Sequence, residues 1–479
     1  MSQPSLSLAE TRSTHDDLSA LLSRQKQAFS AHPMPTLAQR LDKLARLHRG
    51  IISHREALTR ALSQDFGHRS EFDSVIADIL PCINQLRYTR RRLKRWMKPD
   101  SRHAGMLLAP AKIRVEYQPL GVVGIMVPWN FPVFLALAPL LTALAAGNRA
   151  MIKLSEFTPA TNAVLKTLLS EQFDPEEVAV VEGEAERSAA FSRLPFDHLF
   201  FTGSTAVGRH VMRAAAENLV PVTLELGGKS PTLIGPDMSM EEAVERIAWG
   251  KCMNAGQICV APDYILLPEG QQQNFIDAFR RRFTRLYPKG LASPDYTSVV
   301  NTAQYRRLLD TLEDAVDKGA IATPLCNPAR DDEQHRLALH LLTNVDDQMR
   351  VMQEEIFGPL LPLVPYRDID QALAYVQARP RPLALYLMSH DAELQQRVQA
   401  ETHAGGMAIN ETLLQVAADD APFGGVGPSG MGEYHGEEGF RTFSKAKTIL
   451  QRGRFNPATL IHPPYRTWLH RLMVKLLVR

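Results

Sequence analysis

The 479-residue chain reads as an α/β protein built on a doubly wound parallel sheet, with a second α/β unit after it. Three observations predict this. Five short apolar runs, at 122–127, 150–154, 178–183, 198–203 and 222–227, alternate with stretches of helical length. Buried strands separated by helices imply parallel pairing through right-handed crossovers. Helix punctuation falls between the runs: Thr158-Pro159 where a helix should open, Gly147-Asn148 where one should close. A further set of runs, TLIG, YILLP, LLPLVPY and ALYLMS, is spaced by long polar segments. A chain of this length exceeds one hydrophobic core, so two or three domains are expected.

Taken in order, residues 36–66 predict a helix. Thr36 and Gln39 form a capping-box pair, and Leu41, Leu44, His48, Ile51 and Ile52 make its apolar stripe. A second helical stretch ends in Arg87, Arg90, Arg91, Arg92, Lys94, Arg95 and Lys98 before Pro99. Residues 107–119 alternate through Ile113, Val115 and Tyr117, which predicts a strand outside the main sheet. Helices are expected at about 131–146, from 158–159 onward, and at about 206–217. The stretch FRTFSKAKTIL at 440–450 reads as extended.

The bulk numbers exclude several classes. A formal net charge of +2 argues against nucleic acid as partner, and the basic run reads as a solvated helix face. Four cysteines cannot form a disulfide framework, and none has zinc spacing, so no metal is expected and a reducing compartment is. The opening MSQPSLSLAETRSTHDD lacks the charged start and apolar centre of a signal peptide, and no stretch reaches membrane-span length. A cytoplasmic protein is the expectation. At the far end, Trp468, Leu469, Leu472, Met473, Leu476 and Leu477 form a helical stripe, with Arg471, Lys475 and Arg479 elsewhere. That pattern fits docking on the chain's own surface or a dimer partner, or weak contact with a membrane surface.

Chemistry concentrates at the predicted strand ends, where open α/β sheets bind ligands. Cys259 stands in NAGQICVAPDY, three residues after Gly256, in a segment suited to presenting a thiol. It is a nucleophile or a small buried hydrophobe; Cys82, Cys252 and Cys326 carry the second reading, with Cys252 expected on the same helix. Glu225, in TLELGGKSP, ends an apolar strand, where desolvation would raise its pKa toward that of a general base; helix capping is the other reading. Asn130, in VPWNFP, is an N-cap or a donor to a developing oxyanion. FTGSTAVG places Gly203, Ser204 and Gly208 at a strand-to-helix turn that could hold a phosphate. Lys153 and Glu156 follow the second strand, where they could bind a ribose or lie on the surface, and Glu355 in MQEEIFGPLLP could reach a second ribose.

In chain order, PWNFP, KLSE, FTGSTAVG, LELGGKSP, NAGQICVAPDY, EEIFGPLLP and PFGGVGPSGMGEYHG resemble the aldehyde dehydrogenase superfamily, over about residues 20–450. CVAPDY and SGMGEYHGEEGFRTFS resemble its class 3-like branch. DFGHRS, LPFDHLFFTGSTAVGRHVMRAAAENL and NETLLQVAADDAPFGGVGPSG are most similar to coniferyl aldehyde dehydrogenases. The resemblance implies Cys259 as nucleophile, Glu225 as base and Asn130 as oxyanion donor. It implies Pro128, Trp129, Lys153, Glu156, Gly203, Ser204, Gly208, Glu355 and Phe357 at the cofactor, with Lys153 and Glu156 on the adenosine ribose and Glu355 on the nicotinamide ribose. NAD is the expected cofactor, because Glu156 would repel a 2′-phosphate, with NADP as a second.

On the same resemblance the fold divides into a cofactor domain, a catalytic domain and a small β element for homodimers. The implied boundaries are N-terminal helices at 1–106, oligomerisation strands at 107–119, cofactor domain at 120–226 and catalytic domain at 227–405. A return to the cofactor domain at 406–438, an oligomerisation strand at 439–455 and a tail at 456–479 complete it. Two departures stand out: Leu154 where relatives carry proline, implying a looser ribose turn, and bulky Ile258 beside the nucleophile, implying a narrowed substrate tunnel. The expected reaction is oxidation of an aldehyde, such as a phenylpropenal, to its acid. Medium- or long-chain aliphatic aldehydes, CoA as acyl acceptor, and a fold that kept binding but lost chemistry are the alternatives; no GxSxG supports a serine hydrolase.

Overall fold

The computed structural model describes residues 8–105, 108–465 and 467–477, without the side chains of 8–15, 458, 460 and 477. Its first sheet has six strands in the order Gly430–Met431, Val222–Glu225, His198–Thr202, Val122–Met126, Arg149–Lys153, Val178–Val181. All five predicted runs are present and mutually parallel; Gly430–Met431 joins antiparallel at the edge.

Strand alternation sends Val123 and Ile125 to a core with Leu44, Leu47, Leu141 and Leu165, and Val122 and Met126 to a core with Leu18, Leu22 and Val211. Helices therefore cover both faces, the doubly wound arrangement. Helix Leu37–Asp65 starts with the expected capping box of Thr36 and Gln39. Its buried stripe runs through Leu44, Leu47, Ile51, Leu58 and Leu62, whereas Ile52 faces solvent. The basic run on helix Leu80–Trp96 and just beyond is exposed throughout, as a solvated face should be.

The second sheet has seven strands: Ile321–Pro324, His340–Thr343, Leu360–Tyr366, Tyr264–Pro268, Pro231–Ile234, Ala384–Met388 and Gly406–Ile409. Ile321–Pro324 pairs antiparallel and the rest are parallel. Gly406–Ile409, expected in the return to the first sheet, is instead the edge strand here; the return is made by Gly430–Met431. A third sheet sets Lys112–Pro119 between Asp100–Arg102 and Ser444–Gln451, all antiparallel. The extended reading of 440–450 holds from Ser444; before it lies helix Gly436–Thr442.

One helix start differs from expectation and a second matches it, and both take their anion from elsewhere in the chain. Asn130 is not an N-cap: Phe131 takes that position in helix Pro132–Ala146 without a side-chain cap. The Asp78 carboxylate accepts from the Val133 and Phe134 N–H groups instead (3.2 and 2.9 Å). Likewise Thr158 and Pro159 occupy N-cap and N1 of helix Pro159–Gln172, but Asp65 accepts from Ala160 and Thr161 (2.9 and 2.7 Å). In both cases a carboxylate from the N-terminal helices supplies the anion that a helix start favours.

Helix Trp468–Leu477 packs against the short Pro457–Ile461 turn. Trp468, Leu472 and Leu476 are exposed, so the expected docking on the chain's own surface is not found. Leu477's side chain and Arg479, part of that expectation, lie outside the described residues. No helix among the described residues is long and apolar enough to cross a membrane.

Candidate active site

A cleft of about 730 Å³ opens at the carboxyl ends of the first-sheet strands, lined by Pro128, Trp129, Lys153, Glu156, Gly203 and Ser204. Ser204 caps helix Thr205–Ala216, its hydroxyl accepting from the Val207 N–H. Lys153 ends its strand almost fully buried, donating to Leu154 O at 2.7 Å and lying 3.6 Å from Glu156. Burial lowers its pKa, partly countered by Glu156. The expected looseness at Leu154 is not found: its N–H donates to Val181 O (3.0 Å), a bond proline cannot make, and its side chain is buried. Gly208 is absent from the cleft lining. It sits one turn into the helix, where a Cβ would meet Leu226 at 2.7 Å, so it serves close packing of helix on strand.

A second cavity of about 320 Å³ shares Pro128, Trp129, Gly203 and Ser204 with the cleft and adds Asn130, Glu225, Cys259, Glu355 and Phe357. The two adjoining cavities together gather every predicted site residue except Gly208. Ile258 is not among the cavity lining; it is buried in the core beneath the second sheet.

Cys259 is not on the helix that carries Cys252. Helix Met240–Cys252 ends there, and Asn254, Ala255 and Gly256 follow with φ of 49°, 52° and 73° before a turn presents the thiol. Three consecutive left-handed residues, two with side chains, cost free energy and persist only when other contacts over-determine them. Those contacts are amides. Asn254 donates to Asn130 O and Gln257 O; Gln257 donates to Asn254 O and Ser298 O and accepts from the Val300 N–H. Asn130 itself donates to Gln257 O at 3.2 Å. An amide nitrogen carries two N–H groups, so one is tied to the Cys259 loop and the other is free to serve a ligand. The Asn130 carbonyl also accepts from buried Arg69, which is paired with Asp78 at 3.0 Å and lies over the rings of Phe66 and Phe131.

The facing segment is clamped as firmly. Asp263 accepts from the Ile356 N–H and pairs with Lys229, which also donates to Val351 O and Glu354 O. Arg307 donates to Ile356 O and Phe357 O. Phe357 adopts φ 49° and sets its ring edge against Trp129 at 5.2 Å. A Cβ on Gly227 would collide with the Glu355 carboxylate, so glycine is needed for that approach.

Electrostatically the cavity favours neutral groups. Burial pushes the Glu225 carboxyl well above its usual range, with Glu433 adding, and neither of its oxygens has a hydrogen-bond partner. Burial raises Glu355 to about 8, and Asp263 contributes. Burial, then Glu355 and Glu225, push the Cys259 thiol up to about 12. The cavity thus pairs a protonated thiol with two carboxyl groups of raised proton affinity.

Arg69, Asp78, Asn254, Gln257, Asp263, Lys229 and Arg307 were not singled out from sequence. Arg69, Asn254, Gln257, Lys229 and Asp263 lie inside quoted motifs, and that was their only signal.

The model of the aldehyde dehydrogenase family matches residues 7–449. The chain belongs to that family. It is 52% identical to a probable coniferyl aldehyde dehydrogenase of Pseudomonas aeruginosa, covering 98% of both chains. It is 45% identical to the coniferyl aldehyde dehydrogenase of another Pseudomonas strain, covering 96% of both. Among solved structures of aldehyde dehydrogenases, a substrate-bound Staphylococcus aureus AldH superposes with a TM-score of 0.91 at 37% identity, covering 96% of this chain and 99% of that one. A Mycobacterium tuberculosis aldehyde dehydrogenase in complex with NAD+ superposes at 0.83 with 27% identity, covering 92% and 91%. The dehydrogenase fold accounts for the arrangement above: the cleft lies on the first sheet, and the strained thiol loop projects from the second lobe to meet it.

Proposed function

We propose that this dehydrogenase oxidises a phenylpropenal such as coniferyl aldehyde to its acid, with NAD as preferred cofactor. Cys259 is its nucleophile, Glu225 its base and Asn130 its oxyanion donor. The observation that carries this reading is the single cavity shared by those three side chains, which adjoins the cleft of Lys153 and Glu156 through common walls at Pro128, Trp129, Gly203 and Ser204. The names of the Pseudomonas relatives support the substrate.

The residues fit a nicotinamide dinucleotide. The capped start of helix Thr205–Ala216 suits its phosphates, the pair of buried Lys153 and half-buried Glu156 suits the adenosine ribose, and Glu355 Oε1, buried without a partner, suits a further hydroxyl. When bound, that cofactor supplies the hydride acceptor. Glu156 disfavours a 2′-phosphate by charge, so NADP is used less well.

The chain's own residues do the rest. The Cys259 thiol passes its proton to a neighbouring carboxylate, and the sulfur attacks the aldehyde carbon. The free Asn130 N–H holds the resulting oxyanion. Loss of hydride leaves a thioester on Cys259. The carboxyl group that took the thiol proton releases it to solvent. Ionised Glu225 then takes a proton from water, whose oxygen attacks the thioester carbon; the acid leaves, and the sulfur takes up the proton from Glu225, which restores both the thiol and the base. The unpartnered Glu225 oxygens and their raised proton affinity support its role as base.

The Ser444–Gln451 strand pairs on one side only and leaves most of its length exposed, which supports a homodimer built on the small sheet. The reading places the enzyme in the cytoplasm. The test is kcat/KM for coniferyl, cinnamyl, benzyl and aliphatic aldehydes with NAD and NADP, with and without CoA. Coniferyl aldehyde with NAD should lead, and CoA should make no difference. An aliphatic aldehyde leading by tenfold or more overturns the substrate assignment; acyl-CoA as main product overturns hydrolysis.

A further inference from the structure

Charge is distributed unevenly along the chain. Residues 452–479 contain six Lys and Arg (Arg452, Arg454, Arg466, Arg471, Lys475, Arg479) and no Asp or Glu. The preceding residues carry 48 Lys and Arg against 52 Asp and Glu, so a basic tail follows an acidic body. Arg466 and Arg479 enter this comparison by sequence alone.

Exposed apolar side chains cluster in the same segment. Among the described residues, seven of the twenty large hydrophobic side chains left exposed are Phe455, Ile461, Tyr465, Trp468, Leu472, Val474 and Leu476. So dense a cluster in 28 residues marks a surface built to be covered. In helix Trp468–Leu477, Trp468 (73% exposed), Leu472 and Leu476 (60%) follow one another at four-residue spacing along one face. By helical spacing Arg471 and Lys475, both exposed, flank the Trp468 edge of that face, and Leu469 and Met473, half-buried, continue it on the other edge. At about 1.5 Å per residue, ten residues cover roughly half of a bilayer's hydrocarbon core, so the helix can lie in an interface but not cross it.

We propose that the segment around helix Trp468–Leu477 docks the dehydrogenase on an anionic lipid surface. Trp468, Leu472 and Leu476 enter the headgroup boundary, and Arg471 and Lys475 meet lipid phosphates. Two features select lipid over a second copy of the chain. A uniformly cationic segment repels its own copy, whereas it is complementary to a sheet of phosphates. Exposed Trp and Tyr suit the headgroup level, where one part of the side chain is dry and another wet. Docking holds the active site where lipophilic aldehydes partition.

The test is co-sedimentation of the full chain with phosphatidylcholine vesicles, with or without 30% phosphatidylglycerol. Binding should require phosphatidylglycerol and should fall between 0.1 and 1 M salt, as the Debye length shrinks from about 10 to about 3 Å. Arg471→Gln/Lys475→Gln should weaken it about 25-fold, since each basic side chain near such a surface is worth about fivefold. Trp468→Ser/Leu472→Ser/Leu476→Ser should abolish it. All five side chains lie away from the catalytic cavity, so turnover of benzaldehyde should be unchanged and certifies folding. A parent chain that stays in the supernatant with phosphatidylglycerol at low salt overturns the proposal. So does a triple-serine variant that binds like the parent. Loss of a larger oligomer in that variant, without vesicle binding by the parent, assigns the face to a second copy and equally overturns it.

Discussion

The two halves of the catalytic space are built differently. The cleft on the first sheet is shaped by main chain: parallel strand ends, a capped helix start and a glycine turn. The Cys259 cavity is held by side chains brought together from distant segments. Arg69 and Asp78 fix Asn130, Asn254 and Gln257 fix the left-handed turn, and Lys229, Asp263 and Arg307 fix the Glu355 segment. A binding surface for a large ligand can be made from repeating backbone geometry. A nucleophile needs one position, and the irregular turn that provides it has to be tied down.

That difference predicts unequal responses to single substitutions. The largest concerns Asp78→Asn, which leaves buried Arg69 without its counter-charge and weakens the anchor of Asn130. Urea denaturation should show a loss of about 3–5 kcal/mol. A loss below 1 kcal/mol would mean that the pair is not part of the clamp. Next, Asn130→Ala should lower kcat by about 100- to 1,000-fold, equivalent to about 2.7–4 kcal/mol of barrier, while cofactor affinity stays near the parent's. A change confined to KM would remove the oxyanion role.

The pH response of the thiol comes third. Because burial and two carboxyl groups hold Cys259 at about 12, the protein without substrate carries a neutral thiol at pH 7. Below its pKa the thiolate fraction grows about tenfold per pH unit. Iodoacetamide labelling of Cys259, followed by peptide mass spectrometry, should therefore accelerate about tenfold per unit from pH 7 to 10. A plateau near pH 8 would show that the cavity stabilises the thiolate instead. The smallest effect belongs to the backbone-built cleft. Ser204→Ala removes a helix cap and should cost about 1 kcal/mol of stability in urea denaturation, with kcat unchanged; a loss above about 3 kcal/mol would mean that the cleft is tied down like the Cys259 turn.

The same contrast explains what the sequence disclosed. The five strands, the capping box at Thr36 and Gln39, and the turn at Gly203 and Ser204 are local patterns of apolar period and turn chemistry, and each lies where those patterns put it. Long-range partners leave no such trace. Asn130 has the composition of an N-cap, but the cap is Asp78, more than fifty residues earlier, and this frees the amide for the cavity. Gly208 looks like part of a phosphate turn, yet close approach to Leu226 is what requires a glycine there. His340–Thr343 was missed; its place in the sheet is set by its pairing with Ile321–Pro324 on one side and Leu360–Tyr366 on the other. Cys259 was legible as a residue and illegible as a geometry, since nothing local announces that Asn254 and Ala255 turn left-handed ahead of it.

The central claim is that Cys259 forms a covalent thioester which Glu225 then hydrolyses. Rapid mixing of Glu225→Gln with NAD and coniferyl aldehyde tests it directly. A burst of NADH approaching one equivalent per active site is expected, followed by steady turnover far below the parent's. Steady turnover equal to the parent's, with no burst, would contradict it.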